Sequence, residues 1–246
     1  MKLWGHRGAS ADYPENTVEA MRGAVAQGAD GVELDVMVCG SGELVVCHDE
    51  WLDRLAGRRW EVATTPWWKL QKADVGSQLG FAPARIPLLE DVFAAVPADF
   101  FVNIELKCIT VDDLGLTAKV VDFVRAHRLE SRVVLSSFNA GCLFRLARFG
   151  PELRRGCLID PDQPWLPQAW GVLPTVAPTA VHPHVSACTP ERVARWHAQQ
   201  WQVAVWTVDD VDEARRLRAL GVDAIITNRP GRLRAELEAG IVEGAG

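Results

Sequence analysis

Charged side chains and histidines stand in or at the ends of short apolar segments of this sequence. These residues are His6, Arg7, Glu33, Asp35, His48, Glu105 and Lys107. Three converging carboxylates can hold a hard divalent cation, arginine and lysine can bind phosphate oxygens, and two histidines can divide a proton transfer between them. If the fold brings these side chains together, the set predicts a phosphodiesterase.

The segments that must position these residues alternate between strand and helix. Segment 31–38 alternates in hydrophobicity, so Glu33 and Asp35 share one face of a strand. Strands are predicted over 3–8, 31–38, 44–49, 100–107, 132–138, 154–159, 179–185, 202–210 and 223–230. The turn before 44–49 is too short for a parallel crossover, so that segment should return antiparallel. Eight strands remain, which in 246 residues predicts an α/β fold, a TIM-type (β/α)8 barrel.

Helices are predicted between most of these strands. Apolar residues at helical spacing indicate helices over 16–27, 88–96, 112–127, 140–148, 189–200 and 211–220. Asn16 is the expected N-cap of the first helix, with Glu19 completing a capping box, and Thr189 is the expected N-cap of a later one. Gly221 is the expected C-cap glycine after 211–220.

The barrel geometry would gather the candidate residues at one rim, because active sites of such barrels lie at the carboxyl ends of the strands. Two inward carboxylates without a partner would be costly, which predicts a cation. Trp206 would add a flat apolar wall. Each residue alone has a commoner structural interpretation, and Lys107 could orient Glu105 or Asp35 instead of contacting substrate.

The remaining histidines are expected to have structural roles. His127 and His197 fall on predicted helices, and His182 lies near a strand end, where it could reach the site without being catalytic.

Composition limits the classes of protein. A net charge of −6 argues against a protein that binds nucleic acid through a basic patch. No secretory signal and no membrane-spanning apolar run are evident, and the six cysteines form no CxxC pair, so we expect a cytoplasmic protein with reduced, packed thiols. The oligomeric state is not determined.

Residues 50–87 interrupt the alternation and contain four tryptophans. They predict a small insertion after the second strand, within a single barrel domain spanning 1–246. The tryptophans are expected mostly to form a small core for the insertion. Trp165 and Trp170, in the Pro- and Trp-rich stretch 160–178, could form another wall of the site.

A series of short motifs resembles the glycerophosphodiester phosphodiesterase family. The motifs are HRG, PENT, ELDV, VVCHD, IELK, LSSF, VWTVDD and IITNRP, in the order of that family and from residue 5 to 230. The segment after HD departs from the family's usual sequence, which leaves the preferred alcohol head group open.

The resemblance implies hydrolysis of glycerophosphodiesters to sn-glycerol 3-phosphate and an alcohol, with one divalent metal ion. Mg²⁺ and Ca²⁺ are favoured and Mn²⁺ is also compatible. It implies that His6 and His48 are the acid–base pair, that Glu33, Asp35 and Glu105 hold the metal, and that Arg7, Lys107 and Trp206 bind substrate. A cyclic phosphate intermediate has been proposed for this family, and the sequence does not test it.

Two other functions stay open at this point. One is a lysophospholipase D-like enzyme with the same site and a lipid substrate. The other is a non-catalytic barrel that binds phosphate esters. The presence of every proposed catalytic residue argues against the second.

Overall fold

Parallel strands close into a barrel in the computed structural model, which describes residues 1–108, 113–162 and 175–243. Within these residues nine strands are hydrogen-bonded in the order β1-β9-β8-β7-β6-β5-β4-β2-β3, and β1 also pairs with β2, which closes the barrel from eight of them. The strands are β1 Lys2–His6, β2 Gly31–Val38, β3 Leu44–Val46, β4 Phe101–Leu106, β5 Val133–Ser137, β6 Arg155–Ile159, β7 Ala180–Pro183, β8 Gln202–Val205 and β9 Ala224–Thr227. The short β3 pairs antiparallel with β2, as predicted. The prediction of a TIM-type barrel is therefore confirmed.

Helices surround the barrel and follow most of the strands. They are α1 Val18–Ala26, α2 Asp53–Ala56, α3 Trp67–Leu70, α4 Leu89–Ala95, α5 Leu116–Ala126, α6 Ala140–Phe149, α7 Pro190–Ala198, α8 Val211–Ala219 and α9 Pro230–Glu243. Helix α9 was not predicted, because its apolar residues lie beyond the last strand motif and its end reads as a frayed tail. No helix among the described residues has the length and apolar character to cross a bilayer.

The alternation in β2 separates the helix-facing core from the barrel interior. Val32, Leu34 and Val36 are fully buried in a cluster that includes residues of α1, α4 and α5. The residues between them therefore face the interior. Burial of these aliphatic side chains fixes the register of the strand, since a shift of one residue would exchange the two faces.

The segment 50–87 packs around its own apolar cluster beside β3. Leu52, Val62 and Leu70 are fully buried there, and Trp60 and Trp67 pack against the cluster. The other two tryptophans are not core residues, since Trp51 is 41% and Trp68 61% exposed. The expectation of a tryptophan-built core is thus right for two of the four.

The prediction that Asn16 caps α1 is wrong by one position. The backbone amide of Ala20 donates to Thr17 Oγ1, which makes Thr17 the N-cap. Asn16 has a φ of 58° and turns its side chain away from the helix. The N-cap at Thr189 is confirmed, since its hydroxyl accepts from the amide of Arg192.

The prediction of reduced cysteines is wrong for one pair. Cys108, just after β4, forms a disulfide with Cys142 in the first turn of α6. Residues 34 apart in sequence show no CxxC-like spacing, so only the fold brings them together. Cys39, Cys47, Cys157 and Cys188 are free and buried.

Thiol titration of the denatured, non-reduced protein is expected to find four free thiols of the six cysteines. Adding a reductant should expose all of them and lower the melting temperature, because a loop of 34 residues closed by a disulfide stabilises the fold by about 3–4 kcal/mol. The variant C157S is the control. Because the Cys157 thiol is free, the number of free thiols in this variant should fall from four to three. Six reactive thiols without reductant would contradict the pairing.

Candidate active site

A cavity of about 280 Å³ opens at the carboxyl ends of the barrel strands. Its lining combines acidic, basic and imidazole groups with apolar side chains. The lining residues are His6, Arg7, Glu33, His48, Glu105, Lys107, Phe138, Leu158, Asp160, Trp206 and Ile226. The fold thus brings together at one rim all the candidate residues except Asp35, which lies buried among them.

The end of β1 turns sharply to direct two side chains into this cavity. Arg7 has a φ of 53° and Gly8 a φ of 85°, so the chain leaves the strand through two left-handed residues. A Cβ on Gly8 would lie 2.5 Å from the carbonyl carbon of Ala20, so only glycine fits against α1. The turn also points the amide of Arg7 at Glu33, whose Oε2 accepts at 3.0 Å.

Strand register places the three carboxylates together. Glu33 is the partner of His6 on β1, and Asp35 is the partner of Glu105 on β4. Oxygen atoms of Glu33, Asp35 and Glu105 lie within 4.8 Å of one another, and all three residues are buried. An all-oxygen set of this size suits a hard divalent cation.

The charges in this cluster are only partly balanced by the protein. Burial raises the pKa of Glu33, and repulsion from Asp35 and Glu105 raises it further. Burial also raises the pKa of Glu105, although Lys107 opposes it. A bound divalent cation would supply the missing positive charge, so these residues fit the metal site that the sequence predicted.

Asp35 differs because two cationic side chains lie beside it. Burial raises its pKa, but Lys107 and Arg7 outweigh this effect and lower the pKa to about 2. Arg7 Nε lies 3.3 Å and Lys107 Nζ 3.6 Å from Asp35. Its oxygens are therefore ionised and available to a cation over a wide pH range.

Asn16 supports Asp35, a role that sequence reasoning missed. Its Nδ2 donates to Asp35 Oδ2 at 2.8 Å, and its Oδ1 accepts from the backbone amide of Asp35 at 3.2 Å. Asn16 is buried. The PENT motif contained a signal for this role. Thr17 alone is sufficient to cap α1, so the asparagine before it is not needed as a cap.

Lys107 contacts carboxylates and also reaches the cavity. Its ammonium group donates to Glu105 Oε1 at 2.8 Å and lines the cavity. Both interpretations of Lys107 from the sequence are therefore compatible with this position: it orients a carboxylate and also presents positive charge to a ligand.

Asn228 and Asp209 orient the His6 ring through hydrogen bonds that the sequence did not reveal. Its Nδ1 lies 2.7 Å from Asn228 Oδ1, and Asn228 Nδ2 donates to Asp209 Oδ2 at 2.6 Å. Because this second bond orients the amide with its oxygen towards His6, Nδ1 must be the donor. Nε2 is then free to accept a proton. Burial lowers the pKa of His6, with Arg7 adding to the effect.

His48 has a carboxylate in the same position. Its Nδ1 lies 2.7 Å from Asp49 Oδ1. Partial burial raises the pKa of Asp49, but the hydrogen bonds from His48 and Arg54 outweigh it and hold the pKa below its usual range. An ionised Asp49 can only accept, so His48 also directs a free Nε2 away from its support. The HD motif carried this signal in the sequence.

Trp206 forms the apolar wall with Phe138. The two rings meet edge to face with centroids 5.5 Å apart, and Trp206 Nε1 donates to the carbonyl of His182. His182 is fully buried below the site and its Nδ1 lies 3.4 Å from Asn103 Nδ2, outside the cavity lining. The expectation that His182 is not catalytic agrees with this position. Trp165 and Trp170 lie outside the described residues.

Comparison with known proteins identifies the family to which this sequence is similar. The model of the glycerophosphoryl diester phosphodiesterase family matches residues 6–232. A glycerophosphodiester phosphodiesterase of Caldanaerobacter subterraneus subsp. tengcongensis is 36% identical over 93% of this chain and 94% of its own length. One of Bacillus altitudinis is 33% identical over 94% of this chain and 96% of its own length.

Solved structures match the fold over nearly the whole chain. A phosphodiesterase of Oleispira antarctica, in complex with the product sn-glycerol-3-phosphate, aligns with a TM-score of 0.82 and 26% identity, covering 97% of both chains. A glycerophosphodiester phosphodiesterase of Agrobacterium tumefaciens aligns with a TM-score of 0.81 and 28% identity, covering 96% of this chain and 99% of the other.

Proposed function

The chain belongs to the glycerophosphoryl diester phosphodiesterase family and is therefore a phosphoric diester hydrolase, and we propose that it releases sn-glycerol 3-phosphate and an alcohol from glycerophosphodiesters in a metal-dependent reaction. The observation that carries this proposal is the cavity itself. Its lining combines Glu33, Glu105 and two histidines with the aromatic rings of Phe138 and Trp206. The Oleispira antarctica phosphodiesterase, which binds sn-glycerol-3-phosphate, supports the same product.

Glu33, Asp35 and Glu105 would hold the metal ion, with Mg²⁺ or Ca²⁺ favoured and Mn²⁺ compatible with the same oxygen ligands. When bound, such an ion polarises a phosphoryl oxygen and offsets its charge. Arg7 and Lys107 add positive charge beside the carboxylates and would bind the phosphate oxygens.

His6 and His48 would divide the proton transfers. Each presents a free Nε2 because its Nδ1 is engaged by a fixed acceptor, Asn228 for His6 and Asp49 for His48. One imidazole takes the proton from the attacking hydroxyl, and the other, as imidazolium, gives a proton to the leaving alkoxide. Overall, the oxygen of water bonds to phosphorus and the bond between phosphorus and the alcohol oxygen breaks. One proton of the water ends on that alcohol oxygen.

Phosphorus NMR of glycerophosphocholine hydrolysis tests the reaction. The metal-stripped protein, supplied in turn with Mg²⁺, Ca²⁺ or Mn²⁺, is expected to convert the diester to sn-glycerol 3-phosphate. Phosphocholine would instead show cleavage of the other ester bond and contradict the proposed product. A parallel assay with lysophosphatidylcholine measures the lipid alternative, which the exposed Trp51 and Trp68 favour.

Trp206 is expected to bind the substrate rather than to take part in the bond-breaking step. Because the ring lines the cavity, W206A should raise KM for glycerophosphocholine by about 2- to 30-fold, the range of a ring contact worth about 0.5–2 kcal/mol. W206F keeps a ring face and should recover much of the loss. W68A, which removes an exposed ring of the insertion, is the control. A fall in kcat with unchanged KM would contradict this role.

A further inference from the structure

Arg54 of the insertion joins two carboxylates that belong to different parts of the chain. Its Nε and Nη2 donate to Asp49 at 2.7 and 3.0 Å. Its Nη1 and Nη2 donate to Glu15 at 2.8 and 2.7 Å. One planar guanidinium therefore makes two bidentate contacts, which a lysine cannot reproduce.

Each of these carboxylates has a second partner in the candidate active site. Asp49 Oδ1 lies 2.7 Å from His48 Nδ1, and Glu15 Oε1 accepts from Arg7 Nη1 at 2.8 Å. The chain of contacts thus runs from His48 through Asp49, Arg54 and Glu15 to Arg7. Arg54 itself is not among the residues that line the cavity.

The charges along this chain alternate in sign. Burial raises the pKa of Glu15, but its bonds to Arg54 and Arg7 outweigh this effect and lower the pKa. Without Arg54, Glu15 and Asp49 would lose a shared cation. Among the ion pairs of the described residues, Glu15 would then keep only its pair with Arg7. Asp49 would keep only its pair with His48.

We propose that Arg54 is a positioning residue for the hydrolysis, which fixes His48 and Arg7 relative to each other through Asp49 and Glu15. The insertion thereby contributes to the active site although Arg54 does not line the cavity. The kinetic part of this proposal rests on the proposed function, because it assumes that His48 and Arg7 act on a phosphodiester. The contacts that position His48 and Arg7 do not depend on which substrate is used.

The kinetic test uses a set of variants of the full chain. R54A should lower kcat/KM for glycerophosphocholine by about 10- to 100-fold, mostly through kcat, since small displacements of catalytic groups have effects of this size. R54K should recover little. Because Arg54 is 44% exposed, free guanidinium ion should reach the site left by R54A and restore part of the activity. R59A, which removes a guanidinium that lies over Trp51, should change kcat/KM by less than about twofold.

A double-mutant cycle separates positioning from general destabilisation. E15Q and R54A should be strongly non-additive in kcat/KM, because both interrupt the same chain of contacts. Additive losses, or a loss in R54A that guanidinium does not rescue and that follows the melting temperature, would overturn the proposal.

A measurement without turnover keeps the proposal independent of the substrate. With ¹⁵N-labelled histidine, assigned by comparison with H48A, the neutral His48 ring of the wild type should carry its proton on Nδ1. In R54A or R54K the ring should become a mixture of tautomers, while R59A should match the wild type. An unchanged His48 signal in both Arg54 variants overturns the positioning role, whereas wild-type inactivity towards every diester tests only the proposed function.

Discussion

Replacing His6 or His48 by alanine is expected to lower kcat for glycerophosphodiester hydrolysis by about 10²–10⁴-fold, with a smaller change in KM. The reason is that proton transfer by a positioned side chain contributes a factor of this size, and each imidazole lines the cavity with a fixed tautomer. Steady-state kinetics on glycerophosphocholine with the preferred metal measure both constants. H127A is the matched control, since His127 is exposed just after α5 and its Nδ1 donates to the carbonyl of Phe123, away from the cavity.

The two histidines should also act as one unit. The double variant H6A/H48A is expected to lose little more activity than either single variant, because removal of one partner already interrupts the proton relay. Activity in H6A or H48A within a few-fold of the wild type would reject the acid–base assignment. It would leave the carboxylate cluster as the principal catalytic element.

Replacing Glu33 by glutamine should have opposite effects on metal binding and on stability. Metal affinity is expected to fall by at least about 100-fold, because one of three carboxylate ligands is lost. The metal-free protein should become more stable than the metal-free wild type, since the substitution removes a negative charge buried beside two others. Titration calorimetry and thermal unfolding, each with and without metal, measure the two effects.

Metal should therefore stabilise the wild type far more than E33Q. At a metal concentration of about 1,000 times the dissociation constant, a site present only in the folded state adds about 4 kcal/mol to the free energy of unfolding. E90Q is the control for removal of a carboxylate, because Glu90 is exposed at the start of α4. Equal metal-induced stabilisation of E33Q and the wild type, or full activity after metal removal, would contradict the site.

Hydrophobic period and segment order were sufficient to predict the barrel. Strand β2 begins and ends where its alternation does, at Gly31 and Val38, because one face is fully apolar and cannot shift register. Other boundaries moved by up to five residues. The strand predicted over 202–210 ends at Val205, because beyond it the backbone makes isolated bonds to the neighbouring strands, from the amide of Trp206 to Pro183 and from that of Val208 to Ile226, instead of a continuous ladder.

The residues missed by the sequence have short polar side chains that act through another residue. Asn16 resembled an N-cap, because asparagine is common there, and Asn228 fell within the last predicted strand, 223–230. Their contacts to Asp35 and His6 span 19 and 222 positions of the chain, which no local pattern reports. The same reason explains the Cys108–Cys142 disulfide.

The sequence by itself determined the types of reactive group and the elements that carry them. Alternation put Glu33 and Asp35 on one face, and the strand ends put His6, Arg7 and Lys107 at one rim, since side-chain direction in a strand follows from residue parity. Only the tertiary structure decided that Asn228 supports His6 and that Arg54 of the insertion lies between Asp49 and Glu15. Those contacts depend on how distant segments pack, and packing is set by the closed barrel as a whole rather than by any local stretch of the chain.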